Sequence, residues 1–64
     1  MMSQKELEMW SINIENAALR VAADYGVETV NSIYSRYNAH SFYDLSTCYY
    51  SDVFADLEMI ANDL

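Results

Sequence analysis

The sequence predicts an all-α fold: a compact three-helix bundle with a short extra helical turn before the last helix, in one domain over residues 1–64. Three observations predict it. Apolar residues recur at steps of three and four along most of the chain, the period of a helix with one buried side. One Gly and no Pro leave too little turn material for a set of hairpins. Hydrophobic residues make up 53% of the chain, too many for a disordered segment. A domain this small buries only about 60% of its unfolded surface, so it depends on close helix packing or on a partner chain.

The first helix is expected over about residues 4–25. Ser3 with Glu6 reads as a capping box, in which each side chain satisfies a free backbone N–H. Leu7, Trp10, Ile14, Ala17, Ala18, Val21 and Tyr25 form its apolar stripe. Met9, Ile12, Leu19 and Ala23 widen that stripe, which predicts contact with more than one neighbour. Gly26 supplies a left-handed stop. Val27, Val30, Ile33, Tyr34 and Tyr37 repeat the spacing in a second, shorter helix. Its β-branched residues suit a strand, but the steps of three and four favour helix. Asn38 tolerates the left-handed conformation that ends it. Ser41 with Asp44 caps one short turn through Leu45. Ser46 or Thr47 then caps the last helix, whose inward stripe is Tyr50, Val53, Phe54, Leu57, Ile60, Ala61 and Leu64.

Charge narrows the function classes. The formal net charge is −7, from ten acids against Lys5, Arg20 and Arg36. Direct nucleic-acid binding needs a basic patch, and this chain has none. An apolar run near the ~20 residues of a membrane span is also missing. The first ten residues carry charges where a secretory signal would be apolar. Cys48 is the single cysteine, which fits a reducing, cytoplasmic setting.

From Asp44 onward the chain has five carboxylates and no Lys or Arg. Asp52 and Asp56 are four apart, so they project about 6 Å from one another on one helix surface. Asp63 follows about 10 Å further along at ~1.5 Å per residue. Glu58 falls at the margin and Asp44 at the edge. Such a face repels nucleic acid and anionic membrane and attracts basic protein surfaces. Like charges at this spacing cost a few tenths of a kcal/mol per pair, which invites a functional explanation beside the plainer one of a solvated face on an acidic protein. Six tyrosines accompany it. Tyr43 and Tyr49 adjoin the acidic helix, and aromatic rings beside acids suit a surface that receives Arg. Tyr25, Tyr34 and Tyr37 read as packing residues. At least one of Tyr49 and Tyr50 must point away from the core.

Catalytic and metal chemistry find little support. His40, Asp44 and Cys48 are spaced by four and four, but the caps around them break any continuous helix. A structural zinc site also needs a fourth ligand. His40 then reads as a loop residue, Asp44 as a cap and Cys48 as a small buried hydrophobe. A glycine-rich phosphate loop is excluded, since Gly26 stands alone. The expectation is a non-enzyme with no cofactor and no metal.

The stretch from Tyr25-Gly26 to Ser32, then Arg36-Tyr37-Asn38-Ala39-His40-Ser41, Asp44-Leu45, and above all Cys48-Tyr49-Tyr50-Ser51-Asp52-Val53-Phe54, with Leu57 and Asp63-Leu64, resembles a group of small acidic helical domains. These are encoded by phages and integrative elements of Gram-positive bacteria. They tend to carry Gly in place of Asn38 and Pro in place of Thr47, substitutions that keep the same turn and cap roles. The resemblance implies a mobile-element setting in which small acidic proteins include anti-CRISPR inhibitors, some of them DNA mimics. The resulting expectation is an inhibitor acting in the cytoplasm of a bacterial host. It would bind a basic, nucleic-acid-binding surface of a host defence protein such as a CRISPR effector nuclease. Asp44, Asp52, Asp56, Glu58 and Asp63 would meet Lys and Arg, with Tyr43 and Tyr49 as anchors. The alternative is a structural or docking module, a homodimer or a subunit of a larger complex, assembled through the Trp10–Tyr25 face of the first helix.

Overall fold

A computed structural model describes residues 2–62 of the chain. The Ser3 hydroxyl accepts the Glu6 backbone N–H at 3.2 Å and donates to the Glu6 carboxylate at 3.3 Å. From this cap α1 runs over Gln4–Tyr25. It stops at Gly26, whose φ of 95° and ψ of 157° lie in a region that costs a side chain about 1–3 kcal/mol. A Cβ placed at Gly26 would meet nothing within 4 Å, so any penalty there is backbone strain alone. Gly26→Ala is therefore expected to lower unfolding stability by about 1–3 kcal/mol, measured by urea denaturation. An unchanged midpoint would mean that this turn is not under conformational constraint.

Helix α2 covers Val27–Ser35, so the helical reading of its β-branched residues holds. The chain leaves it through Asn38, at a left-handed φ of 59°. Two single 3-10 turns follow, Phe42–Asp44 and Thr47–Tyr49, and the second leads directly into α3, Tyr50–Ala61. The first turn is held by a capping box: the Tyr43 N–H donates to the Ser41 hydroxyl at 3.2 Å, and the Ser41 N–H donates to Asp44 at 2.9 Å. Entry into α3 differs from expectation, because neither Ser46 nor Thr47 makes a side-chain cap. The 3-10 turn already satisfies the entry, with the Tyr49 N–H bonded to the Ser46 carbonyl at 3.0 Å. Cys48 lies on that turn and is exposed, a correction to its reading as a buried hydrophobe. Leu64, assigned to the inward stripe, lies outside the described residues.

The three helices pack on one another around a single core. Ile14, Ala17 and Val21 come from α1, Val30, Ile33 and Tyr34 from α2, and Tyr50, Val53 and Leu57 from α3. Ala39 and Leu45 close it from the connecting segment. At one end Trp10 packs edge-on to Phe54, ring centroids 6.1 Å apart, and Phe42 stacks on Tyr50 at 4.9 Å. Among the described residues no buried side-chain nitrogen or oxygen lacks a partner. No strand occurs among them, and no helix is long and apolar enough to cross a membrane.

Three apolar expectations are corrected. Tyr25 and Val27 are exposed, although both belong to predicted inward stripes. They flank the Gly26 turn, at the edge of the core rather than its middle. The third is the widened stripe of α1. That helix does meet both α2 and α3, but through the other side. Met9, Ile12 and Leu19 stay exposed.

Candidate protein-binding surface

The acidic side chains of α3 do not stand in one solvated row. Asp56 turns toward the turn that follows α2, where the Tyr37 hydroxyl donates to its carboxylate at 2.6 Å and the Arg36 guanidinium lies 3.6 Å away. Glu58 turns toward α1 and binds Arg20 at 2.6 Å. Both arginines thus help to fasten α3 to the rest of the fold, each through one nitrogen. Exposed ion pairs contribute about 0.2–1 kcal/mol each. The Tyr37–Asp56 bond is half-buried and charge-assisted, and its length is that of a strong O–H···O⁻ contact. Losing the Tyr37 proton would break this hydrogen bond, so the Tyr37 pKa is pushed up to about 12, with burial and the charges of Asp56 and Asp52 adding to the rise and Arg36 opposing it.

Tyr37 is also the residue that sequence reasoning undervalued. Its ring sits 5.1 Å from that of Tyr49. Tyr49 is exposed while Tyr50 beside it is buried, as the alternation of the pair required. Asp52 is exposed and close enough to act on the Tyr37 hydroxyl. The structure therefore gathers Tyr37, Tyr49, Asp52 and Asp56 into one patch of two rings and two carboxylates. Among the described residues Asp52 forms no ion pair, whereas Arg36 partly offsets Asp56.

The other predicted contact residues have separate surroundings. Asp44 accepts from the backbone N–H groups of His40 and Ser41 and from the His40 ring, all at 2.9–3.0 Å. These bonds favour the ionised form, the Ser41 N–H most strongly, and pull the Asp44 pKa down to about 2. Tyr43 is the most exposed large hydrophobic residue described, at 87%, with its ring edge-on to that of Phe42. Asp63 lies outside the described residues. No protein-family model, curated protein or solved structure matches this chain. The surface must be judged on its own chemistry.

His40 and Asp44 do meet, but Cys48 does not join them, and among the described residues no three His, Cys, Asp or Glu side chains converge as a metal site would require. The Asp44 cap carries a pH prediction. Its folded pKa lies below the unfolded carboxylate value, so its stabilisation is full above about pH 4 and is lost as pH falls toward 2. Thermal unfolding of the parent and of Asp44→Asn should differ at neutral pH and converge near pH 2. A constant difference across that range would remove the cap from the stability account.

Proposed function

We propose that this chain is a non-catalytic inhibitor that occupies a basic, nucleic-acid-binding surface of another protein. The observation that carries the reading is the Tyr37–Tyr49–Asp52–Asp56 patch, set in a chain of net charge −7. Arg is the side chain best matched to such a patch: its guanidinium pairs with carboxylate and stacks on aromatic faces. Surfaces that bind nucleic acid are rich in Arg and Lys. Among the described residues Lys5 is the one cation outside an ion pair, so the surrounding field favours a basic partner at long range.

Asp52 and Asp56 are the leading charged contacts, with Tyr49 as anchor and Tyr37 holding Asp56 in place. Glu58 is engaged by Arg20 and takes a lesser part. Asp44 adds its charge to the wider acidic field, and Tyr43 offers a second exposed ring away from this patch. The resemblance to acidic proteins of phages and integrative elements supports a host defence protein as target, a CRISPR effector nuclease among them, and so a site of action in the bacterial cytoplasm. The test is capture on the immobilised chain from bacterial lysate at low and at high salt, with identification of the eluate. The reading predicts a nucleic-acid-binding protein whose retention falls steeply as salt rises. Retention that is indifferent to salt, or of proteins without a basic surface, argues against it.

A further inference from the structure

We propose that the outer face of α1 binds a second copy of this chain, in a parallel and in-register pair. Met9, Ile12 and Leu19 are 55%, 60% and 68% exposed. With Asn16 and Ala23 they form a row at steps of three, four, three and four. That is the a and d spacing of a two-stranded coiled coil, Met9, Asn16 and Ala23 falling at a and Ile12 and Leu19 at d. Ile14 and Val21, both fully buried, lie on the opposite side of the helix. The row therefore faces outward, and none of it serves the domain's own core.

Three features select a second copy as the occupant. The first is the polar residue at the middle of the seam. A single Asn at an a position costs stability but sets register and favours two strands, because it is satisfied by its own symmetry mate. The second is charge complementarity. In a parallel pair, position g of one helix approaches position e of the next heptad of the other. Here g is Glu15 and e is Arg20, giving two symmetric attractions. Arg20 gives one nitrogen to Glu58 and keeps other N–H donors of its fork. An antiparallel pair would instead turn the Glu8 and Glu15 flank of one copy against the same flank of the other. The third is extent. The seam runs for about 21 Å at ~1.5 Å per residue, and an open apolar groove of about 290 Å³, lined by Leu19, Ala22 and Val27, continues it toward α2. An interface of that size belongs to the weak class, below about 1,200 Å² in total. The helices are already folded, so little ordering opposes association. What does oppose it is the net charge of −7 on each copy, and salt screens that repulsion.

Sedimentation equilibrium of the whole chain, from about 10 μM to 1 mM and in about 50 and 500 mM NaCl, tests the pair. The mass should climb from 7.4 kDa toward twice that value with concentration, and further at the higher salt. Ile12→Glu with Leu19→Glu should hold 7.4 kDa throughout at unchanged helicity, since both side chains already face solvent. A parent that stays monomeric at the highest concentration and salt overturns the proposal, as does a double variant that associates like the parent. Direction is read by Met9→Cys and Ala23→Cys, each in a Cys48→Ser background. On oxidation a parallel, in-register pair should cross-link each variant with itself, and cross-linking only in a mixture of the two would rule out the parallel register. The salt response is opposite in sign to that of the basic partner, so either idea can fail without the other.

Discussion

Leu57→Ala is expected to bring the chain to the edge of unfolding at ordinary temperature. Leu57 is fully buried, at the point where α3 meets the other two helices. Removing its branched end forfeits the transfer energy and leaves a cavity, together about 2–5 kcal/mol. The whole stability of a domain this size is on the order of 3–10 kcal/mol, so one such cavity consumes much of it. Met59, two residues on in the same helix, is 70% exposed, and Met59→Ala should stay within about 0.5 kcal/mol of the parent. Urea unfolding followed by far-ultraviolet circular dichroism makes the comparison. Similar midpoints for the two variants would mean that α3 is not packed as described.

Asp52→Lys combined with Asp56→Asn should abolish partner capture while leaving the fold intact. The choice at Asp56 follows from its surroundings. Asp56→Lys would bring a second cation up to Arg36 and deprive the Tyr37 hydroxyl of its acceptor, so lost binding could then reflect lost structure. Asn keeps an oxygen for Tyr37 and removes only the charge. Asp52 makes no such bond among the described residues, and reversing it opposes the basic partner directly. Affinity should fall at least about tenfold, or ~1.4 kcal/mol, with helicity close to the parent. Glu58→Gln, beside Arg20, should weaken capture much less. Retention of the double variant at parental strength would remove the acidic patch from the binding account.

Local signals carried much of this architecture. The α1 limits, the left-handed Asn38, the Ser41–Asp44 box and the buried Tyr50, Val53 and Leu57 are each written within one or two turns of chain. Contacts between distant residues were not legible. Arg20 and Glu58 are 38 residues apart, and Tyr37 and Asp56 are 19 apart. Whether such groups meet depends on how each helix is rotated about its axis, which composition and spacing on one helix do not set. Hence the acids of α3 read as a free row, although two are tied to neighbouring helices. The same limit applies to α1. Its main stripe, with Ile14, Ala17 and Val21, was legible and is buried, but only packing reveals that the widening residues Met9, Ile12 and Leu19 face water. Cys48 was misread because burial was inferred from residue type, whereas an intervening 3-10 turn holds it at the surface.

The central claim is that the Tyr37–Tyr49–Asp52–Asp56 patch takes the place of nucleic acid on a basic protein. Its most direct test is a competition titration. The captured partner is loaded with a fluorescently labelled oligonucleotide of the kind it binds, and the chain is added while anisotropy is followed. The account predicts that anisotropy falls to the value of the free oligonucleotide as one equivalent of chain is bound, with no fall for the Asp52→Lys, Asp56→Asn variant. An anisotropy that rises, as a complex of all three components forms, would contradict it.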